Sequence, residues 1–217
     1  MKIVAWVPIK LNNERLPNKN ILTLGDKPVC MHLLETLLKT KYIDEIIVYC
    51  SDTAIKQYLP EGIKLIIREK YLDGFDVKHM EIVNHFINDV NADIYVNAHV
   101  TSPFLPINAF ETGISKVLSG IYDSAYFIQE IRQFCWLKQE PLNFNRQDIP
   151  RTQDLEPVLV DCGVTICKRS VYTEQKARFG NKPYFVTIDT LEAIDIDYPE
   201  DFKIAEAIYE KIIKLRQ

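Results

Sequence analysis

The sequence is poor in the residues and motifs that mark several common functional classes. It has only seven glycines and no GxGxxG motif, which excludes a glycine-rich dinucleotide-binding loop. Its five cysteines form no CxxC pair, and its four histidines form no HExxH motif or other paired spacing. These absences argue against a disulfide framework and a transition-metal site, and they fit reduced thiols inside a cell.

The chain also lacks a net positive charge and long apolar runs. The formal net charge is -4 and the sequence pI is about 5.6, which argues against a surface that holds a nucleic-acid backbone. No run approaches the roughly 20 apolar residues of a membrane span. The apolar stretch near the start continues into Asn-Asn-Glu-Arg without a small-residue cleavage site. We therefore predict a cytoplasmic protein that binds neither nucleic acid nor membranes.

Short apolar runs alternate with helical patterns along the chain. Five runs have the length and the β-branched or aromatic content of strands: residues 2–9, 45–50, 63–68, 93–100 and 123–131. Helical periodicity is found at residues 28–40, 77–90 and 107–118. This alternation predicts an α/β fold with a doubly wound, mostly parallel sheet.

The apolar faces of two helices can be read from their spacing. The helix within residues 28–40 is predicted to bury Met31, Leu34, Leu37 and Leu38. A last helix is predicted to begin at Pro199. Its core face would consist of Phe202, Ala205, Ile208, Ile212 and Leu215.

One region interrupts the alternation. Residues 131–157 are rich in aromatics, prolines and charges, after which the α/β pattern resumes. We interpret them as a small β-hairpin arm followed by a loop, inside a single domain that covers residues 1–217. Phe134 and Trp136 on this arm suggest a dimer interface, although they can also fold onto their own core.

The loop after the first strand is unusually cationic. Residues 7–20 read VPIKLNNERLPNKN and contain Lys10, Arg15 and Lys19 together with four asparagines. In an open parallel sheet, ligands bind beyond the carboxyl ends of the strands, and the first loop is a favoured place. Side-chain cations there indicate an anionic ligand such as a nucleoside triphosphate, whereas a solvated loop is the simpler alternative.

The order of these residues resembles the nucleotide-binding motif of the acylneuraminate cytidylyltransferases, whose relatives activate Kdo and other acidic sugars. The Lys-Asn pair of that motif matches Lys19 and Asn20, and Lys10 stands at the family's arginine position. Three further segments resemble the family in the same order: TSPF at 101–104, PRTQDLEPVLVDCG at 150–163 and IDIDYPEDF at 194–202.

This resemblance implies a Rossmann-like nucleotidyltransferase that transfers CMP from CTP to an acidic, sialic acid-like sugar. It assigns catalytic roles to Lys19, Arg15 and Asp195. Residues expected to contact the nucleotide are Lys10, Asn13, Asn20, Ser51, Asp76, Thr101 and Ser102. For Thr101 and Ser102, capping of the following helix is an alternative role.

Asp195 and Asp197 are two apart on an extended segment, so their carboxylates point to the same face. Magnesium is commonly held by one or two carboxylates together with substrate phosphates, which makes this spacing sufficient for a Mg²⁺ site. The resemblance gives both residues this role. Alternatively, Asp197 only favours the start of the helix at Pro199 through its charge.

The resemblance also implies where the acceptor sugar binds. Its expected contacts are His99, Arg151, Gln153 and Asp154. Four positions depart from the family pattern: His99 replaces a glutamine, Val100 a proline, Leu105 an arginine and Cys162 an asparagine. These departures lie at the sugar pocket, so the reaction is better defined than the acceptor.

The resemblance further implies a homodimer that binds CTP and an acidic sugar. Two other functions fit the residues by themselves. Asp-Ile-Asp is also a DxD pattern of nucleotide-sugar glycosyltransferases, and the changed pocket residues suit a nucleotide-binding module without turnover. A non-sialic or non-sugar acid is a further alternative for the acceptor.

Overall fold

The computed structural model of the protein describes residues 1–216. The strands are β1 (Ile3–Ile9), β2 (Thr23–Leu24), β3 (Lys27–Pro28), β4 (Glu45–Cys50), β5 (Ile63–Ile67), β6 (Ile94–Asn97), β7 (Ser124–Ile131), β8 (Trp136–Leu137), β9 (Glu140–Pro141), β10 (Val158–Lys168) and β11 (Pro183–Thr187). The α-helices are α1 (Val29–Lys39), α2 (His79–Asp89), α3 (Ile107–Leu118), α4 (Arg169–Thr173), α5 (Pro199–Ile208) and α6 (Lys214–Arg216).

Seven strands form the central sheet in the order β11-β7-β10-β6-β1-β4-β5. The pairs β1–β4, β1–β6, β4–β5 and β7–β11 are parallel, whereas β10 runs antiparallel to both β6 and β7. The sheet is therefore mixed and mostly parallel, which confirms the predicted fold class.

Apolar layers cover both faces of the sheet. On one face, α1 and α3 pack Leu33, Leu34 and Phe110 against the strands. On the other, α2 and α4 contribute Phe86 and Val171 among others. The central strand β1 is buried along nearly its whole length, as expected for a parallel strand between two helical layers.

Two predicted helix faces need correction. In α1, Leu34 and Leu37 are buried as predicted, but Leu33 is buried as well and Leu38 is exposed. At the C-terminus, α5 continues into a π-helix, Tyr209–Ile213. This wider turn shifts the face, so Ile213 packs on the core and Leu215 is 80% exposed.

The predicted arm is present as the β8–β9 hairpin and the loop that follows it. Phe134 and Trp136 both meet the ring of Phe144 edge-on, with centroids 5.0 and 5.1 Å apart. Trp136 remains more than half exposed. The aromatic residues of the arm thus pack on one another and leave part of their surface to solvent.

The described residues contain neither a membrane-spanning helix nor a disulfide. Within residues 1–216, no helix combines the length and the apolar character needed to cross a membrane. All five cysteines lie in this range, and none of them forms a disulfide.

Candidate active site

The carboxyl ends of β1, β5 and β6 meet at one edge of the sheet, where they border a cleft of about 460 Å³. The loop after β1, the loop after β5, the chain after β6 and the segment before α5 line it. Of the residues predicted from the sequence, ten line this cleft: Lys10, Asn13, Arg15, Lys19, Asn20, His99, Thr101, Ser102, Asp195 and Asp197.

Local geometry fixes the cationic loop against the sheet edge. Asn18 adopts the left-handed conformation, with φ of 57°, which asparagine tolerates better than most residues. It precedes a short 3₁₀ turn, Lys19–Ile21, that aims Lys19 inward. The side chain of Asn20 then donates to the Lys10 carbonyl over 2.8 Å and ties the two ends of the loop together.

Two cations of this loop meet the second aspartate of the Asp-Ile-Asp segment. Lys19 Nζ lies 2.7 Å from Asp197 Oδ1, and Arg15 Nη1 lies 2.8 Å from Asp197 Oδ2. Lys19 also donates to the Ile196 carbonyl over 2.9 Å. Cations and carboxylates that are far apart in the sequence therefore share one cleft.

Backbone contacts hold the acidic segment in place. The Ile196 N–H donates to the Thr101 carbonyl over 2.8 Å. The Asp201 carboxylate accepts from the N–H groups of Asp197 and Tyr198, at 3.0 and 2.8 Å. Asp201, rather than Asp197, therefore caps the start of α5, and the side chain of Asp197 is left for the cleft.

Tyr198 holds Arg15 at the mouth of the cleft. The Arg15 guanidinium lies 5.1 Å from the centroid of the Tyr198 ring. A hydrogen bond with Tyr198 and the negative charge of Asp197 raise the pKa of Arg15 above its ordinary value. Arg15 is thus a permanent cation next to Asp197.

The two aspartates fit a divalent ion that is only partly held by protein. In the described part of the chain, no group of three or more His, Cys, Asp or Glu side chains could hold a metal by itself. Asp195 and Asp197 both line the cleft beside the three cations. Two carboxylate ligands completed by phosphate oxygens and water are the usual arrangement for Mg²⁺.

The cleft wall contains a buried ion pair that was not predicted from the sequence. Arg68 follows β5, and its Nη2 donates to Asp73 Oδ1 over 2.7 Å, while Ser51 Oγ donates to Asp73 Oδ2. Arg68 and Asp73 are both buried. Within residues 1–216, Arg68 Nη1 has no hydrogen-bond partner although it is shielded from solvent. The only signal in the sequence was an arginine directly after an apolar strand.

Two histidines form part of the cleft floor. The Asn97 amide nitrogen faces the Trp6 carbonyl at 3.5 Å, so its oxygen accepts from His79 Nε2 at 3.0 Å. The rings of His79 and His99 have centroids 5.9 Å apart. Burial is the main cause that lowers the pKa of His79 to about 4 and that of His99 to about 3. Both imidazoles are therefore neutral near pH 7.

Five predicted site residues lie elsewhere in the described structure. Ser51 bonds to Asp73 and lines a neighbouring cavity, and Asp76 is exposed on the loop before α2. Arg151, Gln153 and Asp154 are exposed on the arm, where Arg151 pairs with Asp154 at 2.7 Å. The capping role considered for Thr101 and Ser102 is wrong, because α3 begins only after Pro106.

Comparisons with known proteins show the family to which the chain belongs. The profile of the cytidylyltransferase family matches residues 4–217. The chain belongs to this family. The match covers the cationic loop, the Arg68 region and both aspartates, so every part of the cleft lies within it.

Two relatives show how far the similarity extends. The chain is 22% identical over 214 residues to the N-acylneuraminate cytidylyltransferase of Streptococcus agalactiae serotype V, covering 93% of this chain and 52% of that protein. It thus spans about half the length of that relative. It is 24% identical over 225 residues to the pseudaminic acid cytidylyltransferase of Campylobacter jejuni serotype O:23/36, covering 97% of both chains.

Solved structures share the fold. The CMP:2-keto-3-deoxy-manno-octonic acid synthetase complexed with CTP superimposes with a TM-score of 0.73 at 18% identity, covering 97% of this chain and 99% of the other. The 4-diphosphocytidyl-2C-methyl-D-erythritol synthase of Anaerococcus prevotii gives a TM-score of 0.70 at 13% identity, covering 97% and 96%. At these identities the likeness concerns the fold alone.

Proposed function

We propose that the protein is a magnesium-dependent cytidylyltransferase that transfers CMP from CTP to an acidic sugar and releases pyrophosphate. The observation that carries this proposal is the meeting of Lys10, Arg15 and Lys19 with Asp195 and Asp197 in one cleft. Family membership supports the reaction class, and the names of the relatives support an acidic sugar as the acceptor.

The reaction joins a hydroxyl oxygen of the acceptor to the α-phosphorus of CTP. The bond from that phosphorus to the β-phosphate oxygen breaks, pyrophosphate leaves, and the hydroxyl gives up its proton. Such a transfer depends on positioning and charge neutralisation more than on covalent help from the protein. Lys10, Arg15 and Lys19 supply that positive charge from the loop after β1. Each cation about 4 Å from a phosphate oxygen gains on the order of 4 kcal/mol at an effective dielectric of 20, before desolvation.

Asp195 and Asp197 are the residues that would hold Mg²⁺. When bound, the ion neutralises phosphate charge and lowers the pKa of the attacking hydroxyl. Asn13 and Asn20 lie beside the cations and add amide groups to the phosphate end. Thr101 and Ser102 line the same cleft and are proposed to orient the nucleotide through their hydroxyl groups.

His99 is the proposed contact for the acceptor inside the cleft. Its neutral ring can donate or accept a hydrogen bond but does not attract a carboxylate by charge. Arg151, Gln153 and Asp154 are exposed on the arm and do not line the cleft, so we propose that they contact the acceptor only at the outer part of the site. The exposed aromatic residues of the arm support a homodimer as the working form.

A panel assay tests the proposal. Candidate acidic sugars are offered with each of the four nucleoside triphosphates, and pyrophosphate release is measured with Mg²⁺ and with EDTA. We expect release with CTP and at least one acid, and we expect it to be lost with EDTA or in Asp195→Asn. Stabilisation by CTP with no release from any acid would favour a binding module, and stabilisation by UDP-sugars instead would favour a glycosyltransferase.

A further inference from the structure

The two aspartates of the proposed metal site differ in their surroundings. Both oxygens of Asp197 are occupied by cations, Lys19 Nζ at 2.7 Å and Arg15 Nη1 at 2.8 Å. Asp195 is exposed, and within residues 1–216 it makes no hydrogen bond or ion pair. The segment that offers two metal ligands by sequence therefore offers one free carboxylate and one that is already neutralised.

The net charge of the cleft affects whether a metal ion can bind to Asp195 and Asp197. Three cationic side chains, Lys10, Arg15 and Lys19, share the cleft with the two carboxylates. The free site therefore has an excess of positive charge, which attracts a triphosphate and disfavours a divalent cation. Phosphates that draw the cations away from Asp197 would reverse this balance.

Lys19 and Arg15 are not equally able to move. The side chain of Lys19 is 11% exposed and is also fixed by the Ile196 carbonyl, whereas that of Arg15 is 51% exposed. Arg15 is held on its outer side by the face of Tyr198, the residue next to Asp197. A guanidinium that lies on an aromatic ring at an exposed position is only weakly held there. Arg15 is thus the contact that a ligand can displace most easily.

We propose that Arg15, seated on Tyr198, is a positioning residue that keeps Asp197 neutralised until a nucleoside triphosphate binds, so that metal binding depends on the nucleotide. This inference rests on the proposed function, since it concerns the same metal and phosphate site. The bound triphosphate turns Arg15 toward its phosphates, and Asp197 then joins Asp195 as a metal ligand.

Such coupling has a reciprocal consequence. If the nucleotide raises the affinity for metal by some factor, the metal must raise the affinity for the nucleotide by the same factor. Removing Arg15 should therefore act in two directions. It should strengthen metal binding by the free protein, and it should weaken the coupling between metal and nucleotide.

The direct test measures Mn²⁺ binding to the nucleotide-free protein by electron paramagnetic resonance of unbound Mn²⁺. We expect Arg15→Ala to bind Mn²⁺ about fivefold tighter than the wild type, the size of effect that one partly exposed ion pair supports. Arg15→Lys keeps the charge and should stay near the wild type, and Tyr198→Ala should fall between Arg15→Ala and the wild type. Asp195→Asn should bind Mn²⁺ more weakly than the wild type.

A matched control is Arg146→Ala, which removes an arginine of similar exposure, 49%, from an ion pair on the arm. It should leave Mn²⁺ binding unchanged. Calorimetry with a non-hydrolysable CTP analogue, with and without Mn²⁺, then measures the coupling in each protein. Because Mn²⁺ binds the analogue equally in every sample, differences between variants report the protein alone.

The outcomes separate the two proposals. Equal or weaker Mn²⁺ binding by Arg15→Ala, when the wild type binds CTP and releases pyrophosphate, would overturn the role of Arg15 and leave the proposed function standing. A wild type that neither binds the analogue nor releases pyrophosphate would reject the proposed function. The nucleotide-free comparison would still show whether Arg15 masks Asp197.

Discussion

An arginine pairs with an aspartate both in the cleft and on the arm of this protein. The paired residues are far apart in the sequence in the cleft and close together on the arm. Around Asp197, the cations come from a loop more than 170 positions away, with Lys19 and Asp197 separated by 178 residues. On the arm, Arg151 pairs with Asp154 three positions later, and both are exposed. The charged residues from distant segments line a cleft. The locally paired Arg151 and Asp154 lie on an exposed turn.

The difference follows from solvent and geometry. The Lys19 side chain is largely removed from water, so its charge acts through a lower effective dielectric and is only weakly screened. The arm pair is surrounded by water and salt, where ion pairs contribute about 0–1 kcal/mol. We therefore expect the charged residues of the cleft to contribute more to ligand binding than those of the arm. Substitutions at both places can measure the difference.

The largest expected effect is at Lys19. Lys19→Ala should lower the rate of pyrophosphate release about 100-fold at saturating substrates, because it removes one charge-stabilising donor from the phosphate site. Steady-state kinetics of release measures it. The matched control is Lys27→Ala, a partly buried lysine paired with Glu35 at 2.6 Å outside the cleft, which should keep the wild-type rate. An unaltered rate in Lys19→Ala would place the phosphate site elsewhere.

An intermediate effect is expected at the cleft floor. His79 and His99 have pKa values of about 4 and about 3 in the folded protein, against about 6.5 for an unperturbed histidine. Between these values the unfolded chain binds more protons than the folded one. Stability is therefore lost as pH falls below about 6.5, by about 1–2 kcal/mol per histidine at pH 5.

Urea unfolding at pH 7 and pH 5 measures this loss. The double variant His79→Gln/His99→Gln should show a clearly smaller drop than the wild type. His85→Gln provides the control, since His85 contacts Tyr71 on the outer part of α2. An equal drop in all three proteins would show that the cleft histidines are not held neutral by burial.

The smallest expected effect is on the arm. A double-mutant cycle of Arg151→Ala and Asp154→Ala should give a coupling energy below about 1 kcal/mol in urea unfolding. The same variants also test whether the arm takes part in the reaction. If Arg151→Ala slowed pyrophosphate release as strongly as Lys19→Ala, the arm loop would have to reach a cleft, and the division between the two segments would fail.

Some residues of the candidate site could be predicted from the sequence, and others could not. The resemblance of residues 7–20 and 194–202 to the cytidylyltransferase motifs predicted that Asp195 and Asp197 share a site with Lys19, which the spacing of the aspartates alone left open. Arg68 and His79 were missed because nothing local distinguishes them: an arginine after a strand and a histidine at the first turn of a helix are ordinary. Arg151, Gln153 and Asp154 were placed at the site by resemblance, yet in the single chain they lie on the arm.

The sequence by itself determined the elements and their class, because apolar periodicity and the alternation of strand and helix patterns depend on neighbours a few positions apart. It also determined which residue types could neutralise phosphates and hold a metal. Only the tertiary structure decided that Arg15 and Lys19 already occupy Asp197 while Asp195 stays free. It also decided that, after a π-helical turn, Ile213 packs against the core cluster and Leu215 is exposed. Those outcomes depend on burial and on contacts between distant segments, which no local pattern encodes.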